Sequence, residues 1–459
     1  MADISLLWLR QDLRLHDQPA LAAAAAEGPV VPVYILDDAS PGDWAIGGAQ
    51  RWWLHQSLQR LSRALEARGS RFVLRRGETA TELEKIAAET GTLRVHAVRH
   101  YEPWWVEAEA RIAEMLDLQL HDGNQLAPPR EVVNGSGAAY RVYSPFFRAL
   151  QQHFPPPLPL PAPEGLAAPG KWPASDQLAD WSLLPTRPNW AAEFPSAWTP
   201  GEAGALQALD AFAGGVPDYL ERRNLPSEEG TSRLSPHLHF GEISPATVYH
   251  RATEEGGDAG SKFIKELAWR DFTQAQMAAH PGIGERHARP AFDRFPWRRS
   301  EEAAEDFTAW TSGRTGYPIV DAGMRQLWRV GWIHNRVRMI VASFLVKHLL
   351  IDWRDGARWF WDTLVDADYG NNSVNWQWIA GSGFDSNQFV RIMAPLTQSS
   401  KFDAADYIRH WVPELAALSD GAIHDPDEHG VRPNSYPPKM IGHQEARARA
   451  LAAYKSVGT

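Results

Sequence analysis

The feature that most constrains the fold is a change of period along the chain. In the first 130 residues five short apolar runs, "ISLLWL", "VVPVYIL", "RFVLRR", "RVHAVRH" and "LQLHDG", alternate with helical patterns such as "QRWWLHQSLQRLSRALEARG" and "TATELEKIAAETG". Strand and helix in alternation predict a parallel, doubly wound α/β sheet. After about residue 201 the patterns turn almost wholly helical, and Ser235-Pro236 and Ser244-Pro245 each offer an N-cap followed by proline at the first helical position. Between the two regimes, from Pro155 to Pro200, lie twelve of the 34 prolines, which excludes long regular elements there. At 459 residues the chain exceeds one ordinary core. The expected organisation is an α/β domain over 1–130, a linker over 131–200 and an all-α domain over 201–459.

Composition narrows the chemistry. There is no cysteine, so disulfides, iron–sulfur clusters and thiolate nucleophiles are excluded. The N-terminus "MADISLLWLRQDLR" has only a brief apolar run, and no later segment stays apolar for the length a bilayer demands; the expectation is a soluble cytoplasmic protein without a membrane partner. Net charge is −10, yet from Lys262 to Lys347 fourteen Lys or Arg face nine Asp or Glu. Such a block can mark a polyanion-binding face, although a solvated helix surface is the commoner meaning of any one charge run. The 21 tryptophans suggest planar ligands, stacking or electron traffic in addition to core packing.

Five stretches carry chemistry. "EGTSRLSPHLHFG" sets Thr231, Ser232 and Ser235 around a turn into a helix, where free N–H groups and hydroxyls suit a pyrophosphate, though a plain cap is the commoner use. "KELAWRDF" puts Glu266, Trp269 and Arg270 on one helix face, and "GWIHNRVRMI" sets Asn335 and Met339 on another, flanked by Arg336 and Arg338. An acid, amides, arginines and an indole plane could read an extruded base while holding its phosphates; satisfied surface polars on a helix bundle are the commoner explanation. "LVDADYG" pairs Asp366 with Asp368, but no histidine cluster of ligand spacing accompanies them, so no metal is expected. In "NNSVNWQW" a helix would turn Asn372 and Trp376 one way and Trp378 another.

Taken in order and spacing, "EGTSRLS", "ELAWRDF", "RTGYPIVDAGMRQLWRVGWIHNRVRMIVASFLVKHLLIDWRDG", "DAD" and "NNSVNWQWIAGSG" resemble the photolyase/cryptochrome family, and "LLWLRQDLRLHD" extends the resemblance to the N-terminus. The closest likeness is to bacterial class I cyclobutane pyrimidine dimer DNA photolyases. The resemblance implies a Rossmann-like antenna-binding domain, a wandering linker and a helical domain that binds FAD. It implies FAD contacts from Tyr219, from Thr231, Ser232, Arg233, Leu234 and Ser235, and from Arg270, Asn335, Arg338, Asp366, Asp368 and Asn372, the last beside flavin N5. It implies an electron relay of Trp376, Trp353 and Trp297.

The same resemblance implies a pocket for a flipped pyrimidine dimer formed by Glu266, Trp269, Asn335, Met339 and Trp378, with Arg223, Arg336, Gln398 and Lys401 on backbone phosphates. The activity it implies is light-driven repair: a carbon–carbon lyase in which excited reduced FAD lends an electron to the dimer in UV-damaged DNA, single- or double-stranded, and recovers it. The alternatives are a cryptochrome-type blue-light photoreceptor and a six-four photoproduct photolyase, whose pocket differs by carrying histidine. A monomer is expected. A second chromophore of folate or deazaflavin type fits the first domain, its identity left open by Trp104 and Trp105 where folate-binding relatives place Asn and Glu. His348 stands where many relatives carry aspartate, which puts a charge pair in question.

Overall fold

The computed structural model describes residues 4–299, 301–386, 389 and 391–457, and for 257–261 the backbone alone. It forms two compact units, one of Met1–Pro217, Ser232–Pro281 and Val365–Asp368, the other of Asp218–Thr231, Gly282–Leu364 and Tyr369–Thr459. None of the described helices is long and apolar enough to cross a membrane.

The first unit is built on five strands, β1 (Ser5–Leu9), β2 (Val30–Leu36), β3 (Val73–Arg76), β4 (Arg94–Val98) and β5 (Asp117–His121), in the order β3-β2-β1-β4-β5. Every neighbouring pair is parallel, as the alternating pattern predicted. Four connecting helices are α1 (Pro19–Glu27), α2 (Gly48–Glu66), α3 (Thr79–Thr90) and α4 (Pro103–Met115). The central strands read as unbroken apolar runs because helices cover both faces of such a sheet. Leu6, Trp8, Val31, Val33, Val73, Val95 and Ala97 accordingly form one core with Leu83 and Ile86 of α3 and Ile112 of α4. Pro32 sits within β2, but β3 pairs only from Val33 onward, so the missing N–H costs no bond to β3.

The proline-rich stretch carries only short elements, including Leu178–Trp181 and Phe194–Ala197. Trp53 of α2 donates its indole N–H to Glu242 at 3.0 Å, and its ring lies edge-on to His237 and Trp198 at 5.1 and 5.4 Å. Gly241 permits a tight turn beside the segment after β1: at φ 61° a Cβ would stand 2.1 Å from the Gln11 carbonyl oxygen, so no side chain fits. The Pro245–Ala279 helix begins as the sequence indicates, the Ser244 hydroxyl accepting from the Thr247 N–H at 3.0 Å.

The second unit is helical, with its main helices at Pro318–Val330, Asn335–Ser343, Trp353–Thr363, Tyr369–Ala380 and His443–Lys455. Buried Asp321 organises one end. Its carboxylate accepts from the Thr315 N–H and hydroxyl, each at 2.7 Å, from the Gly316 N–H at 3.1 Å and from the Tyr436 hydroxyl at 2.5 Å. Four donors oppose the desolvation, which still leaves the Asp321 carboxyl above its ordinary value.

Candidate functional site

In the first unit the functional residues gather around two carboxylates. Asp366 and Asp368, both buried, accept respectively from the Ser235 hydroxyl at 2.5 Å and the Gln274 amide at 3.1 Å. Ser235 corrects the sequence reading: it is the first residue of the short Ser235–His239 helix, whose N-cap is Leu234, and its hydroxyl donates to Asp366. Next to it Arg233 adopts a left-handed backbone, φ 51°, with its guanidinium 4.4 Å from the Trp198 ring centre. Arg270 donates to the carbonyls of Asn124 and Leu238.

Two buried groups beside these carboxylates have no forewarning in the sequence. Burial, and then the Asp368 charge, pushes the Glu102 carboxyl up to about 8. Burial pushes His239 down to about 4 despite Asp368 and Asp366, so its imidazole is neutral, and its Nε2–H donates to the Gln50 amide oxygen at 3.1 Å. Glu102 stands 3.8 Å from His100, itself brought down to about 4 by burial, so at neutral pH the two are a neutral pair and not an ion pair. Further along, Glu266 pairs with Lys262 at 2.8 Å, one helical turn away. Trp269 lies flat on Tyr143, centroids 3.9 Å apart and planes at 5°, which fixes the attitude of its ring.

In the second unit Tyr219 is buried beneath Arg223, whose guanidinium is 5.3 Å from the ring centre. The Asn335–Ser343 helix exposes Asn335 at its first position, and the His334 side chain caps it by accepting from the Arg336 N–H at 3.2 Å. Burial and the arginines at 336 and 338 hold His334 neutral, near 4. Arg336 donates to Asn224 at 2.7 Å and lies over the Phe402 ring at 4.5 Å, while its other nitrogen approaches the Met339 sulfur at 3.6 Å. Arg338 donates to the Ile333 carbonyl at 2.8 Å. Gln398 and the exposed Lys401 share the Pro395–Lys401 helix.

The stretch "NNSVNWQW" is helical, within Tyr369–Ala380, and its geometry agrees with the expected division. Asn372 and Trp376 both address the Trp353–Thr363 helix: the Asn372 amide N–H donates to the Ala357 carbonyl at 2.9 Å, and the Trp376 ring meets Phe360 at 5.0 Å and Trp310 at 6.3 Å. Trp376 rests on Gly356, where a Cβ would lie 2.3 Å from its outer ring edge. Trp378 is partly exposed, and Gln377 between them is committed to the carbonyls of Ile283 and Arg286.

Trp353 is fully buried one turn before Gly356 and donates its indole N–H to His287 Nδ1 at 3.3 Å. Trp297 is stacked near that imidazole, ring centres 6.5 Å apart and planes at 15°. His348, which raised the question of a lost charge pair, is buried, held neutral near 3, and joined to His443 at 2.9 Å; the pair carries no charge. No group of three or more metal-competent side chains occurs among the described residues.

The donor set suits FAD. In the first unit the Ser235 hydroxyl and the Arg233 guanidinium stand at the turn beside the carboxylate acceptors. Phosphates, ribityl hydroxyls and a ring N–H need those partners.

A five-stranded parallel sheet of this order is joined in one chain to a helical region with buried indoles. Two family models match it: "DNA photolyase" over residues 5–164 and "FAD binding domain of DNA photolyase" over residues 263–456. The chain belongs to the photolyase/cryptochrome family. A deoxyribodipyrimidine photo-lyase of Agrobacterium fabrum is 47% identical over 98% of both chains. The crystal structure of a bacterial class III photolyase from Agrobacterium tumefaciens superposes with a TM-score of 0.94 at 46% identity, covering 100% of this chain and 98% of that one. Cryptochrome-1 of Arabidopsis thaliana is 34% identical over 97% of this chain and 69% of its own length.

Proposed function

We propose that the protein is a deoxyribodipyrimidine photo-lyase that repairs cyclobutane pyrimidine dimers in UV-damaged DNA. The likeness to a class III enzyme over the full length favours that class over the class I assignment expected from the motifs. The single observation that carries the reading is the pairing of a rigid stacking plane with an acid on one helix: Trp269, fixed flat on Tyr143, and Glu266 one turn before it. A flipped dimer needs a plane to lie on and a hydrogen-bonding group for its carbonyl edge.

FAD, when bound, supplies the electron that opens the dimer and takes it back, so the reaction has no net redox change. The protein's own part is binding and orientation. Tyr219, Thr231, Ser232, Arg233, Leu234 and Ser235 hold the phosphates and ribityl chain in this reading, and Arg270, Asn335, Arg338, Asp366 and Asp368 hold the rest. Asn372 lies beside the flavin ring in this reading, held by the amide N–H that it donates to the Ala357 carbonyl. Glu266 hydrogen-bonds the dimer and stabilises the added charge; Trp269, Asn335, Met339 and Trp378 enclose its rings. Arg223, Arg336, Gln398 and Lys401 grip phosphates without reading sequence. Trp376, Trp353 and Trp297 relay electrons inward when the flavin must be reduced.

The experiment is repair of dimer-containing oligonucleotides by photoreduced protein under blue light. Loss of dimers in light and not in darkness is expected. Bound, reduced FAD without dimer loss refutes the reading and favours a photoreceptor related to the plant cryptochrome.

A further inference from the structure

We propose that His287 is the proton acceptor of the tryptophan relay, so that Trp353, and not the terminal Trp297, holds the travelling charge as a neutral radical. This rests on the relay assigned above. The Trp353 indole N–H points at His287 Nδ1 at 3.3 Å, which requires that nitrogen to carry a lone pair and places the imidazole's own proton on Nε2. Both side chains are buried, so water does not compete for the bond. Burial and the neighbouring Arg354 hold His287 near 4, and the imidazole is therefore neutral and able to accept at physiological pH. The Arg354 guanidinium lies 5.0 Å from the Trp353 ring centre, where it opposes a lasting positive charge on that ring. Asp352 and Asp293 act on His287 with the opposite sign and would steady an imidazolium.

The step balances. After Trp376 has given one electron to the photoexcited flavin, Trp353 refills it with one electron and becomes a radical cation. Its Nε1–H bond breaks, the bonding pair stays on the indole nitrogen, and the proton joins the Nδ1 lone pair of His287. One electron has moved to Trp376 and one proton to His287, leaving a neutral indolyl radical and an imidazolium. An electron arriving from an external thiol restores Trp353 as His287 returns the proton. A deprotonated indole is a weaker oxidant than its cation, so the device slows recombination and lengthens the life of the separated charge.

The test uses full-length, FAD-loaded protein carrying Trp297→Phe, in which the charge stops at Trp353. Flash spectroscopy should show the tryptophan cation spectrum giving way to the neutral-radical spectrum, more slowly in D2O. His287→Gln and His287→Phe in the same background should lose that phase and shorten the charge-separated state, with FAD content unchanged. Nitrogen NMR of the dark protein should find the proton of His287 on Nε2. A neutral-radical phase unaffected by both His287 variants, no such phase in the Trp297→Phe protein, or a proton on Nδ1 overturns the proposal. Photoreduction that survives Trp376→Phe and Trp353→Phe instead refutes the relay itself, a separate failure.

Discussion

Gly356→Ala probes the seat of the aromatic cluster most sharply. The glycine lies inside the Trp353–Thr363 helix, where alanine is intrinsically favoured by about 1 kcal/mol. Packing points the other way. The new methyl carbon would stand 2.3 and 2.6 Å from two outer atoms of the Trp376 ring and 2.6 Å from Leu345 Cδ2. The ring cannot bend, and it is backed by Phe360 and Trp310 at 5.0 and 6.3 Å, so relief requires moving the whole indole or the helix. Overpacking of this kind costs about 1–3 kcal/mol, and with two rigid atoms involved the upper end applies. The net expectation is a loss of about 2 kcal/mol after the helical gain is subtracted. Urea unfolding followed by far-UV circular dichroism measures it, and slower flavin photoreduction should accompany the displaced Trp376. A variant more stable than the parent by about 1 kcal/mol, the helix term alone, would show that Trp376 does not rest on Gly356.

Three other outcomes are expected. Glu102, pushed by burial up to about 8, contributes stability that is complete below its unfolded value and is lost as pH rises through about 8. Glu102→Gln should therefore flatten the fall in stability between about pH 6 and about pH 9, the parent losing on the order of 1 kcal/mol or more relative to the variant; parallel pH profiles would refute the assignment. Trp376→Phe should block photoreduction yet spare repair by chemically reduced protein, and loss of both would give Trp376 a second role. Glu266→Ala should lower repair per photon roughly tenfold with FAD retained, corresponding to about 1.4 kcal/mol of lost stabilisation, and an unchanged yield would remove its role.

The sheet was legible because its strands are bounded runs at regular spacing, separated by helical patterns; β2 was read to the residue, Val30–Leu36. Ser244 was legible as a cap because capping is a local bond. Ser235 was misread for the opposite reason: its partner, Asp366, is 131 residues away, and no local pattern separates a capping hydroxyl from one spent on a distant carboxylate. The shared face of Asn372 and Trp376 followed from helical spacing alone. His287, by contrast, is 66 residues from Trp353 and looks like any loop histidine until folding sets it against the indole. The neutral states of Glu102 and His239 were likewise unreadable, since they come from burial beside Asp368 and not from sequence neighbours.

The central claim is tested most directly by counting cyclobutane dimers in a defined oligonucleotide before and after blue illumination with the reduced, FAD-loaded protein. Dimers that disappear in light, persist in darkness and persist in light without protein are the predicted result. Dimers that persist in light with flavin bound and reduced would contradict it.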